Sequence, residues 1–173
     1  MLVHLDASWH WQEPLTEALT ASAVRLTPHE SRADLVVVAG NGTPPVPLVP
    51  VERDWSPHLP VWCGTDGIRV GPLVHPPLTA CPGCVHAHER ERIRLTPMGP
   101  TAEPDPALLR IASGLVAHQV RAWLDLGTPV RGAPDMPLTW STVVLLAADA
   151  SARVQRLGRH PHCGCTWMDH QLG

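Results

Sequence analysis

The 173-residue sequence contains no phenylalanine and no tyrosine, so seven tryptophans supply all of its aromatic side chains. A hydrophobic core must therefore be built mainly from Val, Leu, Ala and Trp. A chain of this length is expected to form about one domain, which buries roughly two-thirds of the surface that the unfolded chain exposes. We therefore predict a single domain over residues 1–173.

The signatures of several partner classes are also missing. The formal net charge is −3 and no run of Lys or Arg occurs, so the sequence offers no basic surface for nucleic acid. No stretch of about 18 apolar residues is present, so nothing is expected to span a membrane. The N-terminus lacks a basic segment followed by an apolar run, which is the pattern of a signal peptide. We predict a cytoplasmic protein, in which cysteine pairs favour metal or redox chemistry over disulfides.

A glycine-containing stretch follows the apolar run 33–39, but it does not match a nucleotide-binding loop. The GxGxxG fingerprint needs a third glycine and a helix directly behind it. Here Gly40-Asn41-Gly42-Thr43 leads into four prolines between positions 44 and 50. Proline fixes φ and removes a donor, which favours an extended segment. We expect no ATP site, and we interpret residues 41–57 as a Pro-rich connector.

The remaining periodicity predicts an α/β protein. Residues 1–40 form a short βαβ-like part, and residues 58–173 form a core. The sheet is expected from the runs 33–39, 60–63, 67–74 and 138–146, with the helix 106–126 packed on it. Other predicted elements are strands at 2–5, 23–26 and 152–157 (the last with one exposed face), and helices at 9–22 and from Pro82. The apolar stripe of the long helix includes Ile111, and Gly127 provides its stop.

Two close cysteine pairs point to a metal site. Cys81 and Cys84 form a CxxC turn, and Cys163 and Cys165 form a CxC turn near the C-terminus. Two such turns can bring four thiolates to one tetrahedral ion and leave no position for water, which is typical of structural zinc. Cys63 lies in an apolar run and is interpreted as a small buried residue. An iron–sulfur cluster, a disulfide or a redox role remain alternatives.

Histidines and carboxylates near these cysteines widen the set of candidates. His88, His160 or His162 could replace one cysteine ligand, although histidines beside metal-binding turns more often lie in the shell around the ligands. A catalytic zinc would need an open position and a nearby carboxylate, for which Glu89 and Glu91 are the candidates. Their alternation with arginines is explained more simply by a solvated helix face. We predict no catalytic residue.

Several segments of the sequence resemble a known family. Residues 58–61 (HLPV), 67–85 (GIRVGPLVHPPLTACPGCV), 108–123 (LLRIASGLVAHQVRAW) and 160–165 (HPHCGC) resemble E1-like, ThiF-related proteins. Those proteins are the partners of YcaO-type cyclodehydratases in the biosynthesis of ribosomally synthesised, azoline-containing peptides (RiPPs). The resemblance covers about residues 33–167. It implies a degenerate Rossmann-like E1/ThiF-type sheet with a four-cysteine zinc site.

The resemblance also implies a function. The chain is expected to be a non-catalytic zinc-binding scaffold that presents a precursor peptide to a YcaO-type enzyme, or activates that enzyme. Leader peptides are usually bound in this family by a winged-helix domain of about 80 residues ahead of the E1-like part, and residues 1–40 are too few to form it. The alternative is a small zinc- or thiol-dependent enzyme acting on a peptide or amino acid, and self-association as a homodimer is also open.

Overall fold

The computed structural model describes residues 1–44, 57–75, 78–95, 103–126 and 136–165. Within these ranges lie seven strands and three helices, together with two 3₁₀ turns at Glu30–Arg32 and Leu138–Trp140. The prediction of a mixed α/β protein is confirmed. In chain order the elements are β1 (Val3–Ala7), α1 (Trp9–Ala21), β2 (Leu26–Thr27), β3 (Leu35–Asn41), β4 (His58–Gly64), β5 (Gly67–Val70), α2 (Pro82–Leu95), α3 (Pro106–Leu126), β6 (Thr142–Leu146) and β7 (Ala152–Arg156).

All seven strands form one sheet in the order β2-β1-β3-β4-β5-β6-β7. The first four strands are parallel, and the remaining pairings are antiparallel. The change of direction occurs at the tight turn between β4 and β5, which ends at Gly67. This glycine has φ +134°, and a Cβ added to it would lie 2.1 Å from the carbonyl oxygen of Leu146 on β6. Glycine is therefore required where β5 passes β6.

The two faces of the sheet are covered by different helices. Helices α1 and α3 pack on one face, where Trp11, Leu15 and Val116 join the alternate β3 residues Leu35 and Val37 in the main core. Side chains alternate between faces along a strand, so the residues between these positions point to the second face. That second face carries a smaller apolar cluster that includes Trp62, Val143 and the α2 residue Val85. The cysteines meet on this smaller side.

The predicted strand at 23–26 is wrong in its position. The chain closes α1 with Ala23 in the left-handed conformation at φ 57°, and the Val24 N–H donates to the Leu19 carbonyl. This is a helix C-terminal motif, and it uses Ala23 and Val24, which the alternating pattern had assigned to a strand. Strand β2 consequently begins only at Leu26 and has two residues.

The predicted strand at 138–146 is wrong in its first half. Residues Leu138–Trp140 form a 3₁₀ turn, in which the Thr139 N–H donates to the side-chain oxygen of Gln119 on α3. Strand β6 starts at Thr142. The run 67–74 is likewise shorter as a strand, because β5 ends at Val70 and Gly71 has φ +88°.

Two predictions of burial also need correction. All five residues of β7 are exposed, so this strand has two wet faces where one was expected. It is an edge strand that pairs only with β6 in the described part of the chain. Ile111, assigned to the apolar stripe of α3, is 48% exposed, whereas Leu109 next to the stripe is buried.

Some predictions fall outside the described ranges. Most of the connector 41–57 and the helix stop at Gly127 lie there. Among the helices that the structure describes, none is both long enough and apolar enough to cross a bilayer.

Candidate metal centre

The start of α2 places two of the cysteines. Cys81 immediately precedes the helix, and Cys84 lies in its first turn. Pro82 is the first helical residue, a position at which the missing N–H costs nothing. The Val85 N–H donates to the Cys81 carbonyl at 3.2 Å, which begins the helical hydrogen bonding. Both Sγ atoms are thereby directed to the same side of the helix start.

The loop after β7 brings the other two cysteines to the same place. The Sγ atoms of Cys81 and Cys163 are 3.3 Å apart, those of Cys84 and Cys165 are 3.3 Å apart, and those of Cys81 and Cys84 are 3.7 Å apart. Four thiolates at about 2.3 Å from a tetrahedral zinc would be separated by about 3.8 Å. The four sulfur atoms lie within 4.8 Å of one another, so the set is compatible with a metal such as zinc.

These distances distinguish the cluster from disulfides. A disulfide bond has a length of about 2.05 Å, and all five cysteines are free. Cys63 is separate from the cluster, as predicted from its apolar surroundings. It is buried in the main core on the other face of the sheet, and its Sγ donates to the Gly64 carbonyl.

The backbone is fitted closely to the sulfur atoms at Gly83. A Cβ added to this residue would lie 2.9 Å from the Sγ of Cys163 and 3.6 Å from the Sγ of Cys81. The first of these distances is shorter than real Cβ contacts, so a side chain at position 83 would displace the cysteine. The glycine between the two cysteines thus allows the close approach of the C-terminal pair.

Hydrogen bonding favours a negative charge on Cys84. The pKa of this thiol is lowered to about 4, chiefly because its sulfur accepts a hydrogen bond from Cys81, and also because it accepts from the His160 N–H at 3.2 Å. The pKa of the donor Cys81 is correspondingly raised. Burial, followed by its own bond to Cys84, raises the pKa of Cys165 to about 11. These hydrogen bonds favour the thiolate form of Cys84, which is the form of cysteine that binds a metal.

Two of the three candidate histidines, His88 and His160, have rings that are bonded to groups other than the sulfur atoms. His88 donates from Nε2 to the Gly158 carbonyl at 3.0 Å. His160 is buried, and its Nε2 lies 3.0 Å from a carboxylate oxygen of Glu91. The backbone N–H of His162 donates to Nδ1 of His160. The structure brings all four predicted cysteine ligands together, and it places the imidazoles in the surrounding shell.

Glu89 and Glu91 were predicted to lie on one solvated face, and this is wrong for Glu89. Its side chain is only 7% exposed, and it pairs with Arg92 at 2.6 Å. Arg92 in turn approaches Asp66 of the β4–β5 turn, whose carboxylate binds the buried Arg69 through two contacts of 2.7 and 2.6 Å. The hydrogen bond from Arg69 is the main reason that the pKa of Asp66 is lowered. This ionic chain fastens α2 to the hairpin.

Sequence reasoning found the cysteines because their spacing is a local signal. It missed the ionic chain and the contact of Glu91 with His160, since the partners lie on different elements. The spacing of Asp66 and Arg69, three residues apart across a turn, is the one local signal of a paired carboxylate. The finding defines a class: a mixed α/β protein with a closed set of four cysteine sulfurs at metal-binding distances.

Comparison of the sequence gives no relatives: no protein-family model and no curated protein matches it. Comparison of the structure does. The chain is similar to the heterocyclase TruD, with a TM-score of 0.65, 19% identity and coverage of 94% of this chain and 27% of that one. A heterocyclase in complex with substrate and cofactor gives a TM-score of 0.70, 19% identity and coverage of 95% and 26%. E. coli MccB with succinimide gives a TM-score of 0.59 and 13% identity, with coverage of 95% of this chain and 65% of that one.

These identities establish a shared fold and nothing finer. The chain spans about a quarter of the length of the two heterocyclase chains. The structural similarity agrees with the mixed α/β class, which this chain shares with the two heterocyclases and with MccB.

Proposed function

We propose that the chain is an E1-like, ThiF-related accessory protein of RiPP biosynthesis. In this proposal it has no catalytic residue, holds a structural zinc ion, and presents a precursor peptide to a YcaO-type cyclodehydratase or activates that enzyme. The observation that carries the proposal is the likeness to two heterocyclases over 94% and 95% of this chain. The likeness takes in about a quarter of those chains, so the proposal concerns the part of a heterocyclase that this chain resembles.

The parallel half of the sheet supports a degenerate Rossmann-like E1 fold. Strands β2, β1, β3 and β4 are parallel, and α1 connects β1 to β2, as in a nucleotide-binding βαβ unit. The junction between β1 and α1, where a phosphate-binding loop would lie, consists of Ser8 alone and contains no glycine. A diphosphate needs glycines there for close backbone approach. This supports a protein that does not bind ATP.

The cysteine chemistry supports a structural role for the metal. Zinc would be held by Cys81, Cys84, Cys163 and Cys165, and four thiolates fill its tetrahedral sphere. The fit of Gly83 against the Cys163 sulfur indicates that the backbone is shaped for this packing. A zinc ion with four protein ligands contributes free energy to folding and binds no water that could react. The chain's contribution to the biosynthesis would then be made through its surfaces.

The exposed edge strand is the surface best suited to an extended peptide. Strand β7 is exposed along its whole length and pairs on one side only, among the described strands. A peptide that adds to such an edge is held by main-chain hydrogen bonds, so the mode tolerates many sequences. Tolerance of this kind suits a protein that must hold a substrate while its side chains are modified.

The proposal is tested with the untagged chain, a YcaO-type cyclodehydratase and a precursor peptide of that enzyme. We expect the chain to bind the enzyme or the peptide, and to raise the rate at which the enzyme removes one water per ring formed, measured by mass spectrometry. The variant in which Cys163 and Cys165 are both replaced by Ser should lose the zinc ion of the cysteine set and the stimulation, whereas Cys63→Ala should retain both. Absence of binding to both partners, together with an unchanged rate of ring formation, would refute the proposal.

A further inference from the structure

A second group of metal-ligating side chains lies next to the cysteine cluster. It consists of His88 and Glu91 on α2 and His160 on the loop after β7, and one ligand atom from each lies within 4.8 Å of the other two. The two α2 residues are three apart, which places them on the same face of the helix. We propose that these three residues form a second divalent metal site, which takes zinc and keeps one coordination position open.

The donor set fits a zinc ion with three protein ligands. Imidazole nitrogen and carboxylate oxygen both bind zinc at about 2.0–2.2 Å, and sites with two imidazoles and one carboxylate leave the fourth position to water. The Nε2 of His160 and the Oε1 of Glu91 are already 3.0 Å apart. Donors around a tetrahedral zinc ion are separated by roughly 3.4 Å, so small rotations of the side chains bring the set to bonding distance.

The hydrogen bonds of His88 prepare this residue as a ligand. A carbonyl oxygen can only accept, so Nε2 carries the proton that is donated to Gly158. The other ring nitrogen, Nδ1, therefore has a free lone pair. Metal-binding histidines almost always donate their second ring N–H to a carbonyl or carboxylate in this way, which fixes both the tautomer and the orientation of the ring.

His160 must exchange one hydrogen bond for the metal. Its Nδ1 accepts from the His162 N–H, so in the metal-free protein Nε2 carries the proton and donates it to Glu91. When Nε2 binds an ion, the ring proton moves to Nδ1 and the contact with the His162 amide is lost. This cost makes the second site weaker than the four-thiolate set, so a chelator should empty the second site first.

The open position would face a cavity of about 230 Å³ between α2 and the sheet. His88 and Glu91 line this cavity, as does Trp62, which is 1% exposed. The indole Nε1 of Trp62 has no hydrogen-bond partner among the described residues. This nitrogen has almost no accessible surface, so the wall that Trp62 presents to the cavity is apolar. The side chain of Glu91 is 57% exposed, so an ion can enter from solvent.

The experiment uses untagged protein loaded with Co²⁺, which reports its ligands by absorption. We measure cobalt per chain, the intense thiolate-to-cobalt charge-transfer band of the cysteine set, and the weak visible bands of a nitrogen and oxygen site. The expected result is two cobalt ions for each wild-type chain. His88→Ala and Glu91→Gln should each retain one ion with an unchanged thiolate band, which also shows that the variant is folded and its first site is loaded.

The control is His29→Ala, which removes an exposed imidazole at the far end of the sheet and should keep two ions. His160 is left unchanged in this series because its N–H contacts Cys84. Acetate added to the wild type should shift only the weak visible bands, as a ligand at the open position. One cobalt ion in the wild type, or two in both cluster variants, would overturn the site, and insensitivity to acetate would overturn the open position. None of these outcomes depends on a cyclodehydratase partner.

Discussion

Single charged side chains decide how α2 is held against the hairpin. Arg69 is 5% exposed, and a guanidinium cannot lose its charge at ordinary pH, so its burial depends on the carboxylate of Asp66. Asp66 is also approached by Arg92, the partner of Glu89. One turn residue therefore contacts two arginines from different elements, and Asp66 and Glu89 together balance their charges.

The first prediction concerns Asp66→Asn. The bond from Arg69 lowers the folded-state pKa of Asp66 below its ordinary value of 3.8, so its stabilisation is fully present above about pH 4 and is lost as the pH falls through the folded-state pKa. We expect the variant to lose about 1–2 kcal/mol of unfolding free energy at neutral pH, because solvent screens the exposed side of the pair. As the pH falls through the folded-state pKa, the difference from wild type should shrink.

Urea unfolding of both proteins at each pH measures this difference, and acid release of metal is common to both and cancels. Asp125→Asn is the matched control. It removes a carboxylate from an exposed i,i+4 pair with Arg121, and should cost no more than about 0.5 kcal/mol. A difference for Asp66→Asn that stays constant between neutral and acid pH would contradict the explanation.

At the scale of single residues, the sequence predicts groups that lie close together in the chain, such as the cysteine pairs. It does not predict contacts between residues on different elements, such as the ionic chain. The cysteine ligands can be found because they occur as two closely spaced pairs, and the apolar neighbours of Cys63 predict that it is buried. Glu89 looks the same as Glu91 in the sequence, since both alternate with arginines. Only the rotation of α2 against the sheet determines that one is buried and the other exposed, and that rotation is fixed by distant contacts.

At the scale of elements, the prediction succeeds where the pattern is long and local. Helix α3 has the predicted bounds, Pro106–Leu126, because its apolar repeat continues over about six turns. Short elements depend on their neighbours. Residues 138–140 have strand-like composition, yet they form a 3₁₀ turn because Gln119 accepts a hydrogen bond from Thr139. No local pattern could reveal a partner twenty residues away.

The second prediction compares two helical glycines. Gly114 lies within α3, and a Cβ added there meets no atom within 4 Å, so Gly114→Ala should stabilise the protein by about 0.5–1 kcal/mol through helix propensity. Gly83→Ala makes the same change in α2, but pushes on the Cys163 sulfur at 2.9 Å. We expect this variant to release metal about tenfold more readily to a chelator, which corresponds to about 1.4 kcal/mol.

Both variants are followed by thermal unfolding and by titration with a chromogenic chelator. Gly114→Ala should leave the metal titration unchanged, which makes it the control for the general effect of a helical Gly→Ala change. If Gly83→Ala retains metal as tightly as wild type, the cysteine set does not have the close packing described above.

For the whole molecule, the cysteine cluster is a long-range connection. Cys81 and Cys163 are 82 residues apart in sequence, and the segment between them contributes α2, α3 and the last two strands. A bond that closes so long a loop removes considerable freedom from the unfolded chain. An ion held there would tie the start of α2 to the loop after β7.

The third prediction follows from that connection. Cys163→Ser should lower the unfolding free energy by several kcal/mol and remove most of its response to chelator, because the ion of the cysteine set is bound by the folded state. Cys63→Ala should be less stable than wild type through lost packing, yet keep the wild-type response to chelator. Urea unfolding with and without chelator separates the two effects, and a wild-type protein that is indifferent to chelator would exclude a stabilising ion.

The pairing of strand β7 with β6 determines which backbone N–H groups of β7 are hydrogen-bonded and which are exposed. The Ser151 carbonyl accepts from the Ala147 N–H, and the Leu157 N–H donates to the Ser141 carbonyl, both at 2.9 Å. These two contacts mark the ends of the β6–β7 ladder. Antiparallel pairing alternates between hydrogen-bonded and non-bonded residues, so the direction of every N–H between them follows by counting in twos.

The N–H groups of Arg153 and Gln155 point towards β6, and those of Ala152, Val154 and Arg156 point away from it. Hydrogen–deuterium exchange along this strand should therefore be slow and fast at alternate residues. A peptide that added to the sheet at this edge would slow the fast set and leave the slow set unchanged. The same five amides would thus record both the pairing of the strand and the arrival of a partner.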